Sequence, residues 1–247
     1  MRTLALDIGN TAVKYGCFEG DLLFETAVVD SVAAVPELLE KLQPAHVIVS
    51  SVAEDTTAVV AQWQSQVSGR VLAFQPATTK LPIENAYATP HTLGADRLAA
   101  AVGAAWFWPG HDTLIIDAGT AIKCDWVEQG RTFRGGSIAP GLRMRFEALH
   151  TFTGRLPLVA MPAETAAPVP LTGDDTQAAI RSGVLNGAVA EVNGIIEAYR
   201  AQKQDLQIVL AGGDAGFFQP RLKGRIFVIP ELVLIGLHRI LVHNVEN

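Results

Sequence analysis

Cysteine is nearly absent. Cys17 and Cys124 are the two in 247 residues, each inside an apolar stretch and neither in a Cys-x-x-Cys spacing. That pattern excludes a disulfide scaffold and a cysteine-built zinc cluster, and predicts buried free thiols in a reducing cytosol. Charge is also sparse, at 18% of residues, with 25 acidic against 19 basic side chains and a formal net charge of −6. No run of Lys and Arg exceeds two residues, so nucleic acid is not expected as a partner. Long apolar runs are missing as well. The longest uncharged one, Leu98 to His111, contains Gly103, Pro109 and Gly110 and is too short for a bilayer, so no membrane partner is expected. Asp7 interrupts the opening apolar run where a secretory leader would carry no acid, which predicts a cytoplasmic protein. Neither a Gly-Lys dipeptide nor a Gly-x-Gly occurs. A Walker-type phosphate loop and the dinucleotide-binding fingerprint are thereby excluded.

What is there is a large apolar fraction, 49% of residues. A chain of this length buries roughly 70–75% of its unfolded surface, enough for one or two self-sufficient domains. Thr3-Leu4-Ala5-Leu6-Asp7-Ile8-Gly9-Asn10-Thr11-Ala12-Val13-Lys14 aligns with Thr113-Leu114-Ile115-Ile116-Asp117-Ala118-Gly119-Thr120-Ala121-Ile122-Lys123, with Asn10 skipped. Each copy reads as a buried strand, an Asp, a Gly turn and a Thr opening a second strand. A hairpin signal follows each, Glu19-Gly20-Asp21 and Glu128-Gln129-Gly130. Two similar α/β domains follow, residues 1–112 and 113–247, each with a mixed sheet flanked by helices. Helices are predicted over Pro36–Leu42, Asp55–Gln66 and Leu98–Trp106, over Asp175–Lys203 with glycine interruptions, and over Glu231–His243. Strands are predicted at Ala45–Val49, Val71–Phe74 and Gln207–Ala211, with an irregular stretch from Pro76 to Pro90.

The repeated Asp-x-Gly-(Asn)-Thr turn carries the chemistry. Glycine lets the backbone approach an anion, and successive N–H groups with a Thr hydroxyl can cradle phosphate oxygens. A strand-end Asp can hold Mg²⁺ through water. One copy alone equally describes an ordinary Asp-Gly turn; two copies favour a nucleotide gripped between two domains.

Asp7-Ile8-Gly9-Asn10-Thr11 through Lys14 resembles the first phosphate motif of the actin/hexokinase/Hsp70-like nucleotide-binding superfamily, in the form found in type III pantothenate kinases. Asp117-Ala118-Gly119-Thr120-Ala121 is similar to that family's second phosphate motif, and Gly94-Ala95-Asp96-Arg97 to its substrate and catalytic signature. Gly135-Gly136-Ser137-Ile138-Ala139-Pro140-Gly141-Leu142, Thr176 with Ala179-Ile180-Arg181-Ser182-Gly183, and Gly212-Gly213-Asp214-Ala215 follow in the family's order. The resemblance implies two actin-like (ribonuclease H-like) domains with five-stranded sheets around a nucleotide cleft. It implies transfer of the ATP γ-phosphoryl group to the primary hydroxyl of pantothenate, the first step toward coenzyme A. Asp7, Ile8, Gly9, Asn10, Thr11, Ala12, Val13 and Lys14 would hold ATP phosphates, with Asp7 near Mg²⁺. Asp96 would be the base. Tyr87, Gly94, Ala95, Arg97 and Thr176 would shape the pantothenate site. Asp117 would hold a monovalent cation, K⁺ or NH₄⁺, Thr120 would contact ATP, and Gly212-Gly213 would approach adenosine. A homodimer is the family's usual assembly.

The residue types suit phosphoryl transfer, where positioning and charge neutralisation outweigh a strong base. Asp96, just ahead of the Leu98–Trp106 helix, is read either as that helix's N-cap or as a carboxylate kept ionised by the helix dipole. Arg97 is either an internal ion-pair partner or a counter-charge for a substrate carboxylate. Tyr87 reads as packing or pocket wall, and Thr176 as a helix-start residue or a substrate contact. Lys123 and Cys124 depart from the family's apolar or Thr continuation, and Asp125 reads as structural. His46, His91, His111, His150, His238 and His243 show no ligand spacing, and Trp106 and Trp108 are read as core. Two other functions remain open: a different small-molecule kinase of the superfamily, and a nucleotide-binding accessory factor for transcription.

Overall fold

The computed structural model describes residues 1–9, 13–51, 56–162 and 167–246, and backbone alone for 56–59. Asn10, Thr11, Ala12 and Asp55 lie outside the described residues. In chain order the elements are β1 (Arg2–Ile8), β2 (Val13–Glu19), β3 (Leu22–Val29), α1 (Val35–Leu42), β4 (His46–Ser51), α2 (Thr56–Gln64), β5 (Val71–Ala73), β6 (Glu84–Asn85) and α3 (Ala95–Phe107). There follow β7 (Thr113–Ala118), β8 (Ala121–Glu128), β9 (Thr132–Pro140), α4 (Leu142–Thr151), α5 (Thr176–Arg200), β10 (Gln207–Ala211), α6 (Ala215–Phe218), β11 (Phe227–Val228) and α7 (Leu232–Val245).

The contacts divide the chain into two compact units. Unit 1 comprises Met1–Gly110, Val127–Gly135 and Glu231–Asn247, and unit 2 comprises His111–Trp126 and Gly136–Pro230. A single cut near residue 112 therefore differs from these units at two places: the β8–β9 tip and the closing helix α7 belong with the first half. The closing helix does so because two glycines let it lie against α3. A Cβ on Gly236 would collide with the Ala99 carbonyl oxygen, and one on Gly103 would sit 2.6 Å from the Leu232 carbonyl oxygen. Close backbone approach of this kind is available only to small residues.

In unit 1 the sheet order is β3-β2-β1-β4-β5. The first three strands are antiparallel, β4 pairs in parallel with β1, and β5 pairs in parallel with β4. The second sheet runs β11-β10-β7-β8-β9, with β10 parallel to both β7 and β11. Written outward from each repeat's first strand, the two orders are the same, so the aligned segments head two copies of one topology. The second sheet also carries β6 as a sixth strand, where Glu84 and Asn85 pair with Thr132 and Phe133. The apolar runs of β1 and β4 are buried, with Leu4, Leu6, Val47 and Val49 packed on Leu39 and Trp63. In unit 2, Leu114, Ile116 and Leu210 pack on Phe146, Leu185 and Val192. Full burial of such side chains is worth about 1.5–3 kcal/mol each.

Both hairpin signals are turns with positive φ, at Gly20 in the first copy and at Gln129 and Gly130 in the second. Helix α1 stops where Gln43 takes the left-handed conformation (φ 46°) before Pro44. Helix α5 is one continuous element of 25 residues; the predicted glycine interruptions do not occur. Trp106 was expected in the core but is 51% exposed. It lies in the last turn of α3, and its ring face is covered instead by the Arg239 guanidinium, 3.2 Å from the ring centroid. Cys17 and Cys124 are buried and free, and burial pushes their thiols up to about 11 and about 12. Among the described residues no helix is long and apolar enough to cross a membrane.

Candidate active site

In unit 1, Asp7 stands near the C-terminal end of β1, opposite Lys14 on β2 and beside Ser50 on β4. Ile8 and Val13 are core residues, so their side chains are not open to a ligand. Gly9 and Lys14 are exposed. A half-buried carboxylate at a strand end, two residues before Gly9, fits a hydrated divalent ion. No cluster of three or more His, Cys, Asp or Glu side chains among the described residues could cage a metal by itself. A divalent ion here would take most of its ligands from phosphate and water, as Mg²⁺ does.

Asp96 is not the N-cap of α3. Gly94 holds that position, with the Leu98 N–H donating to its carbonyl, and Asp96 lies inside the first turn. Gly94 has a reason to be glycine, because a Cβ there would come 2.6 Å from Asp96 Oδ1. Arg97, the next residue, is 5% exposed. Its guanidinium lies over two rings, 5.4 Å from the centroid of Tyr87 and 5.9 Å from that of Phe133. Tyr87 is positioned in turn by Gly135, which has φ 87° and would put a Cβ 2.9 Å from the Tyr87 ring. Tyr87, Gly94, Asp96 and Arg97 thus form one cluster, to which Phe133 and Gly135 were not assigned from sequence. Their signal was the Gly-Gly pair within the predicted motif.

In unit 2 the second copy of the turn is built around Asp117. Lys123 Nζ lies 2.6 Å from Asp117 Oδ2, with both side chains 15% exposed. On the other side, the left-handed turn at Gly212 (φ 89°) packs so close that a Cβ would be 2.5 Å from Asp117 Oδ1. The Asp214 N–H donates to the Ala118 carbonyl at 2.9 Å, fixing that turn against the end of β7. Burial raises the Asp214 carboxyl, against the opposing pull of Arg143. Gly141, the N-cap of α4, donates its N–H to the Thr120 carbonyl at 3.0 Å, and a Cβ there would collide with the Gly119 and Thr120 carbonyls. Asp117, Thr120, Gly212 and Gly213 are therefore neighbours by construction. Thr176 is exposed as the first residue of α5 behind its N-cap Asp175, whose carboxylate accepts from the Ala178 N–H. Asp125 is buried.

Residues 3–198 match the family model described as type III pantothenate kinase. The chain is 44% identical to a type III pantothenate kinase of Cytophaga hutchinsonii over 98% of this chain and 99% of that one. It is 41% identical to one of Bacteroides fragilis over 98% of both. Among solved structures, a Campylobacter jejuni protein described as a Baf family transcriptional activator aligns at TM-score 0.66 with 19% identity, over 99% and 100% of the two chains. A ROK hexokinase from Thermus thermophilus aligns at 0.57 with 14% identity, over the same shares. The last two likenesses concern the fold alone.

Proposed function

The chain belongs to the type III pantothenate kinase family, and from that premise we propose that it transfers the γ-phosphoryl group of ATP to the primary hydroxyl of pantothenate, yielding 4′-phosphopantothenate. One observation carries the acceptor: a buried Arg97, its guanidinium over the Tyr87 ring, adjoins Asp96 in the first turn of α3. A guanidinium suits a substrate carboxylate, and a carboxylate one residue away suits a substrate hydroxyl. Pantothenate has both groups, whereas a neutral hexose lacks the first. Asp96 orients the hydroxyl and accepts its proton as the new P–O bond forms, while the γ-phosphorus to bridging-oxygen bond breaks and ADP leaves. Residues 7–14, Thr120 and Gly212-Gly213 would hold the nucleotide, and Thr176 would complete the acceptor site. Asp7 would hold Mg²⁺, which when bound neutralises phosphate charge. The reading includes a cytoplasmic homodimer, supported by the family resemblance and, for the compartment, by the free thiols.

The family resemblance also implies a monovalent cation, K⁺ or NH₄⁺, on Asp117. The residues present do not fit it, because Oδ2 is taken by the Lys123 ammonium and Oδ1 is turned against Gly212.

Acceptor choice tests the proposal. With Mg-ATP, kcat/KM for pantothenate should exceed that for glucose or N-acetylmannosamine by about 10⁴ or more, as expected of a site built around a charged group. A preference for either sugar would overturn it.

A further inference from the structure

We propose that the Lys123 ammonium is a built-in substitute for a soluble monovalent cation at Asp117, so that the protein needs neither K⁺ nor NH₄⁺. The inference rests on the nucleotide-binding reading of the Asp117–Thr120 turn. The contact itself is a charge-assisted hydrogen bond, Nζ to Oδ2 at 2.6 Å, between two largely buried side chains. Electrostatically the exchange is even: a carboxylate with K⁺ is neutral, and so is a carboxylate with an ammonium. Chemically it is closer still to NH₄⁺, since the head group of lysine is an ammonium ion on a tether. The tether removes dissociation, because Lys123 cannot leave the strand that carries it.

The local fold places the head group where it is needed. Asp117 is the fifth residue of β7 and Lys123 the third of β8, joined by the Gly119–Thr120 turn, whose Gly119 N–H donates to the Ala121 carbonyl. The first copy has a lysine at the matching site, Lys14 opposite Asp7, but that lysine is exposed. Only the second copy draws its lysine inward. A free cation approaching Asp117 would also meet like charge at Nζ, which opposes its binding.

The test uses the full-length protein exchanged into tetramethylammonium salts. Two readouts are taken, Mg-ATP affinity by calorimetry and turnover of pantothenate, with and without added KCl or NH₄Cl. Wild type should change by less than about twofold in either readout. Lys123→Ala should lose about tenfold or more in Mg-ATP affinity, the scale of a lost hydrogen bond to a charged group, and NH₄Cl should restore it. Lys123→Met, which fills the space without charge, should lose as much and not be restored. Saturable activation of wild type by K⁺ would overturn the proposal. So would a Lys123→Ala variant that binds Mg-ATP as wild type does without added cation, which would leave the ion pair a structural one. Absence of any nucleotide binding by folded wild type would remove the site on which it rests. The affinity pattern without phosphorylation of pantothenate would support it while sinking the pantothenate assignment.

Discussion

A methyl group at position 94 would stand 2.6 Å from the Asp96 carboxylate, so this glycine fixes where that carboxylate, the proposed base, can lie. Gly94→Ala should cut kcat by about 100-fold, the scale of a small displacement of a reacting group, with Mg-ATP affinity unchanged. Steady-state kinetics with calorimetry checks it. Arg97→Lys keeps the charge but loses the planar guanidinium that lies over Tyr87 and Phe133. It should raise KM for pantothenate by about tenfold or more while kcat falls less. Sequence alone reached both residues because Gly-Ala-Asp-Arg is a compact motif. It misplaced Asp96 relative to the helix start, since the N-cap preference of Asp says nothing about a Gly that already supplies the cap carbonyl. Lys123 was visible only as a departure from pattern; its meaning needed the 2.6 Å distance to Asp117.

Helix α5 shows how packing overrides local preference. Gly183, Gly187 and Gly194 each weaken a helix by about 1 kcal/mol relative to Ala, which is why interruptions were expected. They cause none, because Val184, Leu185, Ala188, Val192 and Ile196 are buried along one face. An added Cβ at Gly187 meets nothing within 4 Å. Gly187→Ala should therefore stabilise the protein by up to about 1 kcal/mol, read from urea unfolding. Gly236 in α7 is the opposite case. Its Cβ would strike the Ala99 carbonyl, so Gly236→Ala should destabilise by about 3 kcal/mol or force α7 off α3. The strand-turn-strand repeats were legible from alternating Asp, Gly and Thr landmarks. The partner of α7 was not, because an apolar helix pattern does not state which sheet or helix it covers.

Across the molecule, the duplicated strand order was foreshadowed by two aligned segments, while the discontinuous first unit emerges only from tertiary contacts. One buried group links that unit to pH. His238 is stacked on Phe18 at 4.1 Å and shares a 2.9 Å hydrogen bond between its Nδ1 and Thr3 Oγ1. Burial first, then the Arg239 charge, lower it from 6.5 to about 4, against the attraction of Asp21. The unfolded chain therefore binds a proton that the folded one refuses between those values. Stability from this group is complete above pH 6.5 and is lost as the pH falls toward 4, by about 3 kcal/mol in all. Urea unfolding across that range should show the decline, and His238→Gln should flatten it.

The most direct measurement is formation of 4′-phosphopantothenate from pantothenate and Mg-ATP by wild type and Asp96→Asn side by side, with Mg-ATP affinity measured on both. Wild type should form the product, and the variant should bind nucleotide equally while turning over about 10²–10⁴-fold more slowly. Equal turnover by the variant, or no product from nucleotide-bound wild type, would contradict the account.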